Sequence, residues 1–193
     1  MTRAEPESLE QGLGRPRRPH GRMVTIGVAV AIALIFALFK THGDPLHPAP
    51  LVGNPAPIFS AASLTGKGQV GIPADGGTAG RPAVILFFSS TCKACRAELP
   101  AIARTYREQN PATRVQIIGI DVADTRSAGL ALVRSSGVEF PVGVDPGSRI
   151  TSGVFYFLSP PGAVLVGSNG AISDIVHGQI TNAQLLRGEK KLR

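Results

Sequence analysis

Apolar and polar positions alternate in blocks through the second part of the chain, and the blocks predict strands and helices in turn. Residues 83–88 are an uninterrupted apolar run of strand length. After this run, Leu99, Ile102, Ala103 and Tyr106 recur at helical spacing, with charged arginines between them. The pattern therefore predicts a buried strand that leads into an amphipathic helix.

The segments that follow continue the alternation. Residues 114–121 are rich in β-branched side chains and predict a strand. Asp124 or Thr125 can cap the helix that should come next. Residues 140–145 predict a short extended segment, whereas the pattern of residues 150–157 does not distinguish a strand from a helix.

Two apolar segments near the C-terminus, residues 163–166 and 171–176, flank Asn169 and Gly170. An Asn-Gly pair tolerates positive φ and favours a β-hairpin. A last helix, capped by Thr181, should follow the hairpin. The order strand, helix, strand, helix, hairpin, helix predicts an α/β fold, with a mixed sheet and helices on both of its faces.

The two cysteines of the chain, Cys92 and Cys95, lie where the predicted buried strand meets its helix. A thiol at a helix N-terminus is at the positive end of the backbone dipole, which stabilises thiolate and lowers the thiol pKa. A second thiol one turn along can close a disulfide with it. This arrangement is typical of a dithiol/disulfide redox site.

Two other interpretations of the cysteine pair are weaker. A structural zinc site needs about four nitrogen or sulfur ligands, and the four histidines are too scattered to supply a second ligand pair: His20, His42, His47 and His177. We therefore predict no metal site. A purely structural disulfide is also disfavoured, because closing so short a loop removes little chain entropy.

A long apolar segment precedes the predicted domain. Residues 23–39 are uncharged and almost wholly apolar, and they follow a basic leader, residues 1–22. As a helix the segment would be about 25 Å long, at the short end of what crosses a bilayer. The positive-inside bias puts the leader in the cytoplasm and the rest of the chain outside it. We expect a single-pass protein of the cell (inner) membrane with a periplasmic or extracellular domain.

A cleaved signal peptide is the alternative to an uncleaved anchor. The leader is long for a signal peptide, and no small-x-small cleavage site follows Phe39. Residues 40–52 contain three prolines and suit an extended tether. Residues 53–193 then have the size of a single compact domain.

The basic charge of the chain does not predict a nucleic-acid surface. The net charge is +7, but the basic residues of the outer part are thinly spread apart from a C-terminal group: Arg187, Lys190, Lys191 and Arg193. No aromatic side chains are interleaved with that group, so we expect no nucleic-acid partner.

Three motifs resemble those of the membrane-anchored, TlpA/ResA-type thiol-disulfide oxidoreductases, which have a thioredoxin-like fold. Residues 54–59 look like the segment that opens their domain. Residues 92–100 are similar to their CxxC-x-x-E-x-P helix. Residues 161–166, followed by Gly170, look like their cis-proline strand and hairpin. In this order, behind an apolar anchor, the motifs span nearly the whole domain.

The resemblance implies a role for each residue of these motifs. Cys92 would be the nucleophile that attacks disulfides, and the more buried Cys95 would resolve the mixed disulfide. Pro161 would follow a cis peptide bond and pack beside the sulfurs. Glu98, one helical turn past Cys95, could accept or deliver the proton of the resolving thiol, although an ordinary solvated helix carboxylate remains the alternative.

The resemblance also implies the partners. The substrate would be a thiol or disulfide of another protein, and electrons would be exchanged with a partner embedded in the membrane. The Cys92–Cys95 disulfide would be the redox group, and no separate cofactor is expected.

The chain departs from the family beside the cysteines. Thr91 stands where a tryptophan is common, so less apolar surface borders the site, and aromatic residues at 155–157 could dock substrates instead. Lys93 and Arg96 place cations near Cys92; both favour thiolate, and we expect a reduction potential above that of an ordinary thioredoxin. Leu86 occupies the position of a buried aspartate in thioredoxins, which leaves proton handling to Glu98 or water.

Pro160 is a further departure. In the fold family the residue before the cis-proline pairs its backbone with the bound peptide, and proline has no N–H to donate. We therefore expect one substrate hydrogen bond to be missing and peptide binding to be weaker or narrower.

Two tasks fit an oxidoreductase of this kind. The apocytochrome c reductases of cytochrome maturation match through Glu98 and the anchor. The accessory proteins of methylamine utilisation match through residues 87–92 and 161–165. The sequence does not decide between reducing cytochrome thiols and assisting disulfide formation in a quinoprotein such as methylamine dehydrogenase.

Two further hypotheses belong to other classes. A thiol peroxidase of the peroxiredoxin type is associated with the pattern PxxxTxxC, but here Ile85 and Ser89 occupy the proline and threonine positions. A non-catalytic scaffold with the same fold is disfavoured by the intact cysteine pair.

Overall fold

Residues 50–72, 81–112 and 115–185 are described by the computed structural model of the protein. The predicted leader (1–22) and membrane segment (23–39) lie outside these residues, as does nearly all of the proline-rich tether. The part of the chain that is described contains no helix long and apolar enough to cross a bilayer.

Strands of the described residues are numbered in chain order: β1 (Phe59–Ala62), β2 (Gln69–Ile72), β3 (Ala83–Phe88), β4 (Gln116–Val122), β5 (Val142–Asp145), β6 (Gly162–Val166) and β7 (Ile172–His177). Five of them form a mixed sheet in the order β5-β4-β3-β6-β7. Strands β3, β4 and β5 are parallel, whereas β6 and β7 are antiparallel to their neighbours. The remaining two, β1 and β2, form a separate antiparallel hairpin.

The helices occupy the positions that the sequence predicts for them. Helix α1 is Lys93–Glu108 and helix α2 is Arg126–Ser135. Thr125, rather than Asp124, caps α2, because its Oγ1 accepts the Ala128 backbone N–H over 3.3 Å. Residues 182–185 are helical after Thr181, and the rest of the predicted last helix lies outside the described residues.

Both α1 and α2 pack on one face of the sheet, where Leu99 and Leu132 join the same core cluster as Leu86. They share a face because β3, β4 and β5 are successive parallel neighbours, and right-handed crossovers that advance in one direction place their helices on one side. The opposite face is covered by the β1–β2 hairpin and by the segment around Phe155. The mixed sheet is as predicted, but the prediction of helices on both faces was wrong for α1 and α2, which share one face. The β1–β2 hairpin on the other face was not predicted from the sequence.

The segment that the sequence left ambiguous contains two structures. Residues Arg149–Val154 form a short π-helix, and the irregular turn that follows buries Phe155 and Phe157 on either side of an exposed Tyr156, whose φ is 56°. Both phenylalanines pack against Phe87 of β3, with ring centroids 5.3 and 4.9 Å away. Their role is therefore in the core, and of these three aromatic residues only Tyr156 is exposed.

The topology brings three separate pieces of chain to one edge of the sheet. Phe88 at the end of β3 pairs with Asp121 near the end of β4. Phe87 pairs with Gly162, the first residue of β6. The residues that follow β3, those that follow β4 and those that precede β6 therefore meet at this edge, where α/β proteins commonly place their sites.

Candidate active site

Cys92 and Cys95 lie at the N-terminus of α1 and are joined by a disulfide with an S–S distance of 2.14 Å. Cys92 is the N-cap residue, and its Sγ accepts the Cys95 backbone N–H over 3.1 Å. Cys92 is half-buried, whereas Cys95 is fully buried. The first turn of α1 has no acidic residue to oppose the helix dipole, so thiolate at Cys92 is favoured when the pair is reduced.

Glu98 lies one turn beyond Cys95, on the same buried face of α1. Its Oε2 accepts the backbone N–H of Ile180 over 3.0 Å, while its Oε1 has no hydrogen-bond partner among the described residues. Burial raises the pKa of Glu98 to about 7, although the bond from Ile180 acts to lower it. A carboxyl with this pKa can both give and take a proton near neutral pH. It is not the solvated carboxylate of the alternative interpretation.

The Pro160–Pro161 peptide bond is cis, as the resemblance implies. Pro161 directly precedes β6, so it lies at the same edge of the sheet as the loop that carries Cys92. The Pro161 carbonyl oxygen accepts the backbone N–H of Gly178 over 3.0 Å. The next residue, Gln179, donates its side-chain N–H to the carbonyl oxygen of Ala94, between the two cysteines, over 3.2 Å. The chain after β7 is thereby attached both to the cis-proline and to α1.

The polar residues beside Cys92 are exposed. Lys93 and Thr91 both lie at the surface, and Thr91 Oγ1 is 2.9 Å from Ser89 Oγ. Arg96 directs its guanidinium back toward the loop and donates to the Ser90 carbonyl oxygen over 3.3 Å. The surroundings of the exposed side of Cys92 are therefore polar and cationic.

A second acidic group near the cysteines was not predicted from the sequence. Asp124, just after β4, accepts hydrogen bonds from the Ser90 backbone N–H (2.5 Å), the Ser90 hydroxyl (2.8 Å) and the Ser89 hydroxyl (3.1 Å). Asp121, three residues earlier and near the end of β4, is a buried residue with only 2% exposure. These two carboxyl groups are joined by a hydrogen bond.

The two aspartates are held in opposite protonation states. Burial, followed by the hydrogen bond and the charge of Asp124, raises the pKa of Asp121 to about 8. Burial also acts to raise the pKa of Asp124, but the hydrogen bonds from the Ser90 backbone, Asp121 and the hydroxyls of Ser90 and Ser89 outweigh it and lower the pKa. At neutral pH Asp121 is therefore protonated and Asp124 is ionised.

The loop before the cis-proline exposes two large apolar side chains. Leu158 is fully exposed and Tyr156 is 46% exposed. Tyr156 also has a positive φ of 56°, which is uncommon outside glycine. No pattern in the sequence indicated that Leu158 would be exposed. No cluster of three or more potential metal ligands occurs in residues 50–72, 81–112 and 115–185.

Comparison with known proteins places this geometry in a family. Residues 52–175 match the AhpC/TSA family. The chain belongs to the AhpC/TSA family. It is 28% identical over 142 residues to the thiol-disulfide oxidoreductase ResA of Bacillus anthracis, covering 73% of this chain and 78% of ResA. It is 27% identical over 150 residues to the thiol:disulfide interchange protein DsbE of Escherichia coli (strain K12), covering 76% and 78% of the two chains.

Solved structures show that this member of the family has a thioredoxin-like fold. A thiol:disulfide interchange protein of the thioredoxin family from Chlorobium tepidum matches with a TM-score of 0.61 at 23% identity, over 75% of this chain and 99% of that one. A secreted Mycobacterium tuberculosis disulfide oxidoreductase homologous to DsbE matches with a TM-score of 0.58 at 23% identity, over 69% and 96% of the chains. The ResA and DsbE relatives and the CxxC disulfide confirm the predicted activity. The chain is a TlpA/ResA-type thiol-disulfide oxidoreductase.

Proposed function

We propose that the folded domain works outside the cytoplasm, behind an anchor formed by residues 23–39. There it exchanges disulfides with another protein during the maturation of cytochrome c or of another redox enzyme, such as methylamine dehydrogenase. The observation that carries the proposal is the disulfide at the N-terminus of α1, with Cys92 half-buried and Cys95 fully buried. The ResA and DsbE relatives and the arginine-flanked apolar segment support the setting.

The two cysteines divide the exchange between them. In the reducing direction the thiolate of Cys92 attacks one sulfur of the client disulfide, and the other client sulfur leaves as a thiolate. Cys95 then loses its proton and attacks the Cys92 sulfur of the mixed disulfide. The client's second sulfur leaves, the client is a dithiol, and the Cys92–Cys95 disulfide has formed. The disulfide itself is the redox group, and no further cofactor is invoked.

Glu98 takes the proton that Cys95 releases. Both side chains lie on the buried face of α1, one turn apart, and Glu98 has the only buried carboxyl on that helix. With a pKa of about 7 it can accept this proton in the reducing direction and return it in the oxidising direction.

Client binding uses the residues around the exposed side of Cys92. Thr91 and Lys93 flank the sulfur at the surface, and Pro161 lies at the same edge of the sheet. Pro160 has no backbone N–H to donate to a bound peptide. The client therefore forms one hydrogen bond fewer than it would with any other residue at this position, and the range of clients is narrow. A membrane-embedded partner returns the Cys92–Cys95 pair to its working redox state.

Trapping a client tests the proposal directly. Cys95→Ser in the full chain should accumulate a mixed disulfide between Cys92 and its client, because the resolving thiol is gone. Cys92→Ser is the matched control and should trap nothing. Trapping of apocytochrome c or of a methylamine dehydrogenase subunit would identify the task, whereas equal yields from the two variants would contradict the assigned roles.

The equilibrium reduction potential gives the direction of electron flow. A value near that of thioredoxin, about −270 mV, is expected for a reductase, and a value of about −120 to −180 mV for an oxidase or isomerase.

Consumption of hydrogen peroxide by the Cys95→Ser variant at the rate of the unaltered chain would instead support the peroxidase hypothesis.

A further inference from the structure

The loop that leads into Cys92, residues Ser89–Thr91, is held by a carboxylate that lies just after the neighbouring strand, β4. Asp124 accepts one backbone and two side-chain hydrogen bonds from this loop, at 2.5, 2.8 and 3.1 Å. Hydrogen bonds to a charged acceptor are the stronger kind. The position of the loop therefore depends on a residue that is remote from it in sequence.

The restraint continues from the loop to the sulfur. The Ser89 hydroxyl accepts the Thr91 backbone N–H over 3.3 Å, and the Ser89 carbonyl oxygen accepts the Cys92 backbone N–H over 3.2 Å. Cys92 Sγ in turn accepts the Cys95 N–H. An unbroken chain of hydrogen bonds thus leads from Asp124 to the N-cap position of the nucleophile.

Asp121 keeps Asp124 in place. Its carboxyl lies against α2 at Gly129, where a Cβ would fall 1.9 Å from Oδ2, so only glycine leaves room for it. Asp121 Oδ1 has no hydrogen-bond partner within the described part of the chain. Protonated Asp121 is hydrogen-bonded to Asp124, whose carboxylate faces Ser89 and Ser90.

Two arginines of the described residues lie on the helices next to the pair. Arg126, at the start of α2, donates a guanidinium N–H to the Leu64 carbonyl oxygen over 2.7 Å. Arg96 of α1 approaches the loop at the Ser90 carbonyl oxygen. The α2 residue against Asp121 is Gly129, and the residues paired with Asp121 in the flanking strands are Phe88 and Val144. The carboxylate of Asp145, at the end of β5, is bonded to the start of the π-helix instead.

We propose that Asp124 is a positioning residue for Cys92, which it holds at the N-cap through the Ser89–Thr91 loop. Asp124 does not touch the reacting sulfurs. Its two influences on Cys92 have opposite signs: a nearby negative charge disfavours thiolate, whereas a well-placed N-cap sulfur gains the Cys95 N–H and the helix dipole. The positioning effect is the larger of the two. This role of Asp124 rests on the proposed function, thiol-disulfide exchange at Cys92.

The sign of one thiol pKa shift decides the proposal. In the reduced full chain the thiolate of Cys92 is titrated by its ultraviolet absorbance, and its rate of reaction with oxidised glutathione is measured at pH 7. Asp124→Ala should raise the Cys92 pKa and slow the reaction about tenfold. Asp124→Asn should give a smaller change of the same sign, because the amide oxygen can still accept one of the donors.

Asp145→Ala is the matched control. Asp145 also ends a strand of the sheet, is buried and accepts three hydrogen bonds, from the Ile150 N–H, the Thr151 N–H and the Thr151 hydroxyl. Its removal should destabilise the fold without changing the Cys92 pKa. If Asp124→Ala does not fold, Asp124→Asn and Ser90→Ala, which removes one donor of the loop, provide the measurement.

Two outcomes would overturn the proposal. A Cys92 pKa lowered by Asp124→Ala and Asp124→Asn would show that Asp124 acts only as a charge. A Cys92 pKa unchanged in both would show a purely structural residue, like Asp145. Failure of the unaltered chain to react with any disulfide would contradict the proposed function instead, and the pKa comparison would still stand.

Discussion

Glu98 and Ile180 are joined by a hydrogen bond of 3.0 Å, although 82 residues separate them in the sequence. The bond leads from the chain after β7 to a buried carboxyl on the helix that carries both cysteines. It satisfies one oxygen of Glu98 and leaves the other without a partner among the described residues. Glu98 is thus held in place and yet retains an oxygen that can exchange a proton.

Replacing Glu98 should slow the step that needs a proton to leave Cys95. In Glu98→Gln we expect the rate of mixed-disulfide resolution at pH 7 to fall about 10²-fold, the lower range for the loss of a general acid or base. The pH dependence centred near 7 should vanish with it, because burial places the pKa of Glu98 at about 7. Stopped-flow measurement of resolution between pH 5 and 9 checks both.

Glu108→Gln is the control for that measurement. Glu108 is exposed at the far end of the same helix, so its variant should keep the rate and the pH profile of the unaltered chain. A Glu98→Gln variant that retained the transition near pH 7 would assign the proton transfer to another group.

Asp121 should make the fold less stable as the pH rises. Its pKa is raised from 3.8 to about 8 in the folded state, so the folded chain holds one more proton than the unfolded chain between these values. Its contribution to stability is complete below about pH 4 and is lost as the pH rises through about 8, at up to about 1.4 kcal/mol per pH unit. Asp121→Asn should remove this part of the slope.

Urea unfolding at several pH values measures that slope. Asp174→Asn, at an exposed position on β7, is the control and should leave the dependence unchanged. The pKa of Glu98 is also raised, so Glu98 adds a further decrease in the free energy of unfolding between about pH 4.5 and 7. An Asp121→Asn variant with the full original slope would mean that Asp121 is ionised in the fold.

Lys93 should make the disulfide more oxidising. The lysine is exposed and directly follows Cys92, so its cation favours the thiolate and hence the reduced state, although solvent weakens the effect. Lys93→Ala should lower the reduction potential by about 15 mV, which corresponds to a threefold change in the equilibrium constant. Equilibration with glutathione buffers measures it, and Arg104→Ala, exposed farther along α1, should leave the potential unchanged.

Gly129 should tolerate no side chain. A Cβ there would lie 1.9 Å from Asp121 Oδ2 and 2.7 Å from Asp121 Cγ. Gly129→Ala should therefore cost about 1–3 kcal/mol of unfolding free energy, as overpacking does, and disturb the Asp121–Asp124 pair. Gly153→Ala, with nothing within 4 Å of the added carbon, is the control. Equal stability of the two variants would contradict the close packing of α2 on Asp121.

The sequence predicted the elements that depend on local patterns, but it did not predict the elements that depend on tertiary contacts. The apolar run at 83–88, the helix after it and the hairpin at Gly170, whose φ is +78°, all follow from short-range patterns. Residues 150–157 fitted neither period, because a π-helix with Ile150 and Val154 on its inner side passes directly into an irregular turn that buries Phe155 and Phe157.

The candidate site was predicted only in part for a similar reason. The cysteine pair and Glu98 lie within one helix, so their spacing in the sequence reveals their proximity in space. Ser90 and Asp124 are 34 residues apart and meet only because β3 and β4 are parallel neighbours. The protonation of Asp121 depends on its burial against α2, which no spacing in the sequence records.

The attachment of Gln179 to Ala94 has a consequence for the order in which the protein matures. The cysteines are synthesised 85 residues before the segment that binds the backbone between them. Strand β6, which pairs with β3 at the centre of the sheet, also follows them. A nascent chain that emerges N-terminus first therefore exposes both thiols to its surroundings at an early stage. At that stage Ile180 has not yet bound Glu98, and Gln179 has not yet bound Ala94. Oxidation of the pair can thus precede folding.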